Sequence, residues 1–444
     1  MGRAGLPHRE GVRRGWRAAR MSAVAVITGG CSGIGAATAR RLLTDFEDVG
    51  CALVDLHEGE TGRPNVRRPG RVSSQRAGSR QSRSVPQTTN RSGPADVLAV
   101  LPYQLGFHPR RSLIAMSLRG TRVGLVQRID LPPPGHVGDA VAAMMGPLLK
   151  GHPGSVLLIG FEERAGESRA MLDEMKKACE TGGVEVNDRM VVRGARWFAP
   201  DCHKRCCPPE GSRLPAASEV AAVAEFVGRG ICPLPDRAAL ADRLEPSWPV
   251  MSAELPACAA EWLTLRQSAT NAGVAELEEC RGNELNAWAR ALWAEDTPES
   301  TQALVAQDLA MLAVSLTDVD LRDALIAWLC PGTLAEELID PMLLAQMRGA
   351  LGEEPWLEGQ ITDFDQVIAL QRIERRLCEV CAALPDLWAV PALTVLATFT
   401  WWRGDGALTR VALDRALRID PRYRLARLLE QMVDLAIRPD RASA

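Results

Sequence analysis

Three stretches of this chain place chemically capable residues at close spacing. In the first, a strand-like run Val24–Ile27 leads into Thr28-Gly-Gly-Cys-Ser-Gly-Ile-Gly35 and then a helix-like segment, Ala36–Phe46. Glycines at such a turn let backbone amides approach a pyrophosphate at a helix N-terminus. A second apolar run, Cys51–Val54, ends at Asp55, 20 residues beyond Gly35, where a carboxylate can meet adenosine ribose hydroxyls. The second stretch is Cys202-His203-x-x-Cys206-Cys207. Its thiols and imidazole can supply four zinc ligands, or three and a water. Against zinc stand the adjacency of Cys206 and Cys207, which seldom both bind one tetrahedral ion, and the lack of a second CxxC pair nearby. A redox-inert buried pair, or a family-specific turn packed by thiols, is therefore favoured over metal. The third stretch, Cys378-Glu-Val-Cys381, falls inside a predicted helix beside Leu377 and Leu384 and reads as core.

The glycine-rich stretch resembles the short-chain dehydrogenase/reductase family, through its Thr-Gly-x-x-x-Gly-x-Gly spacing in a strand–turn–helix–strand context. That resemblance implies NAD(P) binding at Gly29, Gly33, Gly35 and Asp55. The family's proton transfer needs a Tyr followed four residues later by Lys, whose charge lowers the phenol's pKa. This chain has two tyrosines, and the fourth residue after Tyr103 is Phe107 and after Tyr423 is Arg427. The remaining strands are also missing, because residues 61–94 hold no acid, eight arginines and many Ser, Gln, Gly and Pro. Such a segment buries too little apolar surface to offset its ordering entropy. Residues 1–21 thus read as a disordered basic extension, 22–57 as an orphan Rossmann-like βαβ fragment, and 58–94 as a disordered linker. An NAD(P)-dependent oxidoreductase, or the remnant of one, is the alternative function.

The elements that must position any site lie downstream. The 444 residues carry 48 arginines against four lysines, and the formal charge of −3 divides into +9 over residues 1–94 and −12 beyond them. An acidic body argues against nucleic acid as the main partner. No apolar run reaches the ~20 residues of a spanning helix, and 12 scattered cysteines fit a reduced, cytoplasmic protein.

Residues 95–245 read as an α/β domain. Asp96 can cap a segment with Leu98, Leu101 and Leu105 at helical spacing, kinked by Pro102, and Gly106 can take the left-handed C-cap conformation. Strands follow at Ser112–Leu118 and Arg122–Leu131, a helix at Val137–Lys150, and a doubly buried strand at Ser155–Phe161. A second helix, Glu167–Thr181, precedes strands at Val184–Val192 and Ala195–Phe198. This order predicts a mixed or parallel sheet covered by helices. Residues 254–438 read as an all-α helical domain whose block Ala397–Pro421 is similar to one tetratricopeptide-type hairpin, and they contain no His and no Lys.

The run Leu105-Gly-Phe-His-Pro-Arg-Arg-Ser-Leu113, the blocks Val156–Ile159, Arg196-Trp197 and Cys206–Gly211, and the block 397–421 together resemble the domain-of-unknown-function 4192 family, which is bacterial. The resemblance covers about 95–438 and implies no activity. With no assembled catalytic set, the expected function is non-catalytic binding of a protein or small-molecule partner.

Overall fold

The computed structural model describes residues 25–27, 94–119, 122–202, 204, 206–228, 230–246, 254–293, 305–334, 336–352 and 364–437. Ala25–Ile27 forms strand β1. The first helix, α1, is Pro94–Leu105, and it buries Leu98, Leu101 and Leu105 at the expected spacing with Pro102 inside it. Gly106 ends it at φ +76°, so Phe107 folds back and is fully buried. Strands β2 (Ser112–Arg119) and β3 (Arg122–Asp130) form an antiparallel pair with an irregularity between Met116 and Leu118. There Ser117 Oγ accepts from the Leu125 amide at 2.6 Å, and only a glycine at 124 leaves room for that hydroxyl.

Helix α2 (Val137–Lys150) leads to β4 (Ser155–Glu162), which lies antiparallel to β2. Helix α3 (Arg169–Thr181) then crosses over to β5 (Glu185–Arg193), parallel to β4. The short strands β6 (Arg196–Phe198) and β7 (Ser212–Arg213) complete the order β1-β3-β2-β4-β5-β6-β7. Of the two architectures left open by the sequence, the sheet is the mixed one: β4 and β5 are joined by a helix long enough for a parallel crossover, while the β2–β3 and β5–β6 connections are hairpins. The strands β2 and β4, in the middle of the sheet, read as continuous apolar runs because both their faces are covered.

The fragment expected to stand apart as a βαβ unit is described only at β1. Those three residues pair antiparallel with β3 of the main sheet, Ala25 opposite Arg128 and Ile27 opposite Val126. Without them β3 would be an edge strand with open backbone groups, which favours such pairing.

Two short helices, α4 (Ala221–Gly228) and α5 (Arg237–Asp242), lead to the helical region. There α6 (Leu255–Ala272) and α7 (Val274–Trp293) are separated by Gly273 at φ +147°. Next come α8 (Ala306–Ser315), α9 (Val319–Leu329) capped by Asp318, and α10 (Pro341–Leu351). Helices α11 (Phe364–Ala383), α12 (Asp386–Arg403), α13 (Gly406–Ile419) and α14 (Arg424–Asp434) finish the chain. The α12–α13 hairpin turns at Gly404, φ +91°, and Asp405 accepts from the Leu408 amide. Thr400 and Thr409 hydroxyls meet across it at 2.9 Å. Pro421 sits in the turn before Tyr423, the N-cap residue of α14. Buried side chains from the sheet, its helices and α6–α14 form one continuous hydrophobic cluster.

Candidate functional site

The carboxyl ends of β3, β4 and β5 and the start of β2 meet at one end of the sheet, the end where open α/β sheets bind ligands. The Phe107–Ser112 segment runs along it. Its backbone is tied down on both sides: the His108 amide donates to Leu234 at 2.9 Å, Leu234 donates to the Gly106 carbonyl at 2.8 Å, and Leu131 donates to the Arg111 carbonyl at 2.8 Å. Arg111 is held at φ +38°, a left-handed conformation unfavourable for a side chain of this size.

The register sets which side chains share a face. Ser112 lies opposite Asp130, and Ile114 opposite Arg128, so Ser112, Asp130 and Arg128 project to the same side. Arg128 is only 3 % exposed. Its Nη2 pairs with the Asp130 carboxylate, and its guanidinium lies over the Phe107 ring at 5.5 Å. Its Nε and Nη1, and the buried Ser112 hydroxyl, have no hydrogen-bond partner in the protein. Burial lowers the Arg128 pKa, a shift opposed by Asp130 and reinforced by nearby Arg237. Further out, Arg110 lies 3.8 Å from Asp236, and Arg237 pairs with Asp414 at 2.7 Å. His108 is pushed down by burial and by Arg110, so its imidazole is neutral at pH 7.

The carboxylates of this rim are already engaged. Glu162, at the end of β4, accepts from the Gly166 and Ser168 amides at 3.0 and 2.9 Å, the Ser168 hydroxyl at 2.6 Å and Arg193 at 3.2 Å. Glu167 is held down to about 2, chiefly by the Arg164 amide, then by the Glu163 amide and the Arg164 side chain. A carboxylate so placed is a poor proton acceptor near neutral pH. What the rim leaves unpaired are donors, so the arrangement suits an acceptor-rich ligand better than acid–base chemistry.

Of the residues singled out from sequence, Gly29, Gly33, Gly35 and Asp55 lie outside the described residues, and so does His203. Cys202, Cys206 and Cys207 are brought together on the loop between β6 and β7, their sulfurs all within 4.8 Å of one another. The Cys378 and Cys381 thiols are buried in the helical core, as the sequence suggested, and burial pushes Cys381 up to about 12. Sequence reasoning missed Ser112 and Arg128. The available signal was Gln127-Arg128, two polar residues in the interior of an otherwise apolar strand.

Among the described residues no helix is long and apolar enough to cross a membrane. No curated protein and no solved structure matches the chain. One family does, described as "Domain of unknown function (DUF4192)", over residues 94–440, an interval that holds the Phe107–Ser112 segment, Arg128 and the three clustered thiols. The chain therefore belongs to the DUF4192 family.

Proposed function

We propose that this protein is a non-catalytic binding protein that takes a carboxylate or phosphoryl group of its ligand at the Phe107–Ser112 and Arg128 rim. The observation that carries this reading is the Arg128 guanidinium, almost fully buried with two of its nitrogens unpaired beside the unpaired Ser112 hydroxyl. Leaving such donors without acceptors costs about 1–3 kcal/mol each. An oxygen-rich group removes that cost and adds charge-assisted hydrogen bonds. Engaged carboxylates argue for binding over proton transfer.

The test is calorimetric titration of the full-length chain against inorganic phosphate, mono- and dicarboxylates and NAD, repeated with Arg128→Met. Saturable binding is expected for at least one phosphate or carboxylate, weakened about 10–100-fold in Arg128→Met, the loss of one to two charge-assisted hydrogen bonds. The ligand-free variant should be as stable as the parent or more so, since an apolar side chain replaces a buried charge. Its partner Asp130 is 44 % exposed and stays solvated. Binding unchanged in Arg128→Met, or no binding at all, refutes the reading. NAD binding abolished by Gly33→Asp would replace it with the nucleotide-binding alternative.

A further inference from the structure

The loop between β6 and β7 carries three thiols that the anion-binding reading does not use. It is pinned at both ends. Asp201 receives Arg189 through two bonds, of 2.7 and 2.5 Å, and Arg189 also reaches Asp173 on α3 at 2.5 Å. At the far end Gly211, at φ +78°, lies flat against the Phe198 ring, where a Cβ would fall 2.5 Å from a ring carbon. Arg196 donates to the Gly211 carbonyl at 2.7 Å, and the Arg193 guanidinium lies over the Phe198 ring at 4.4 Å. Between these anchors the Cys202 and Cys206 sulfurs are 3.9 Å apart, and so are those of Cys206 and Cys207.

Packing does not account for this cluster. Cys206 is exposed and Cys202 and Cys207 are half-buried, whereas Cys179, Cys280, Cys330, Cys378 and Cys381 are buried. Three sulfurs around one zinc at a Zn–S distance of ~2.3 Å lie about 3.8 Å apart in tetrahedral geometry. The observed spacings are within a small side-chain adjustment of that value, including the adjacent pair that the sequence alone argued against. We infer that Cys202, Cys206 and Cys207 supply three thiolates to a zinc site, for which no fourth protein ligand is found among the described residues.

The experiment uses full-length protein kept under a non-thiol reductant. Zinc content is measured after dialysis, and cobalt(II) is titrated as an optical probe. Expected are one zinc per chain, and a cobalt spectrum with thiolate charge-transfer bands and the intense visible bands of a four-coordinate ion. Both should be lost in Cys206→Ser and in Cys202→Ser, and kept in Cys232→Ser, a control at an exposed thiol outside the cluster. Melting curves separate loss of metal from loss of fold. Because Cys206 is exposed, its serine variant should melt within a few degrees of the metal-stripped parent. No bound zinc, octahedral cobalt spectra, or metal retained in Cys206→Ser would overturn the proposal. So would a Cys202–Cys206 disulfide found by mass mapping of protein kept reduced.

Discussion

Arg415 offers the most direct test of how the fold is held together. It lies on α13, 2 % exposed, and acts as a clasp between regions far apart in sequence. Its Nη1 donates to the Leu244 carbonyl, just beyond α5, and to the Cys381 carbonyl at 3.0 Å. Its Nη2 reaches the Leu384 carbonyl at 3.4 Å and the Asp386 carboxylate at 3.1 Å. The Cys381 and Leu384 carbonyls belong to the C-terminal end of α11, where the last acceptors of a helix lack intrahelical donors. Arg415→Met keeps the aliphatic stem and deletes every donor. Three main-chain carbonyls then lose a charged partner at about 1.5–3 kcal/mol each before relief of the guanidinium's own desolvation. Asp386 adds little, being 65 % exposed. The net loss should be about 3–5 kcal/mol, the range seen when one partner of a buried charged contact is removed. Arg415→Lys keeps the charge but cannot span acceptors on two sides, so about half that loss is expected. Urea unfolding followed by tryptophan fluorescence and far-ultraviolet circular dichroism gives both values. A loss under about 1 kcal/mol for Arg415→Met, or a lysine variant as stable as the parent, would refute the clasp.

Two further outcomes follow. Burial, then the neighbouring Glu374 carboxylate, push the Asp405 carboxyl up to about 6 from 3.8. The folded state therefore holds a proton that the unfolded state has lost, so this group's contribution to stability falls as pH rises from about 4 to 6 and stays low above, by about 3 kcal/mol. Asp405→Asn keeps an acceptor for the Leu408 amide and removes the ionisation. Its urea midpoint should vary less between pH 4.5 and 6.5 than the parent's, and an identical pH profile would show that the carboxyl is not perturbed. Deleting residues 1–93 should leave a folded protein, because the family match begins at residue 94 and β1 adds only three residues at the edge of the sheet. A melting temperature within a few degrees of full length is expected, and aggregation or a collapse of the transition would mean that the N-terminal part completes the sheet.

Much of the fold was legible because its causes are local. Ser155–Phe161 reads as a strand covered on both faces from its unbroken apolar run. Asp318 and the Gly404-Asp405 pair mark helix ends, because a short carboxylate caps free amides and a glycine takes the left-handed turn at little cost. The Phe107–Ser112 segment stood out as a motif, and Cys202, Cys206 and Cys207 as a possible ligand set. Tertiary structure decided which side chains these features meet. Alternation along β3 could not show that Arg128 shares a face with Ser112, since that follows from the pairing register of two strands. Nor could spacing show that adjacent cysteines converge, which depends on a loop pinned by Arg189 on β5 and by Phe198 on β6. Arg415 looks like an ordinary helix-surface arginine until the chain brings Leu244, 171 residues away, against it. Periodicity and capping act over a few residues and are written in the sequence, whereas the pairing of a buried charge is settled only when distant segments meet.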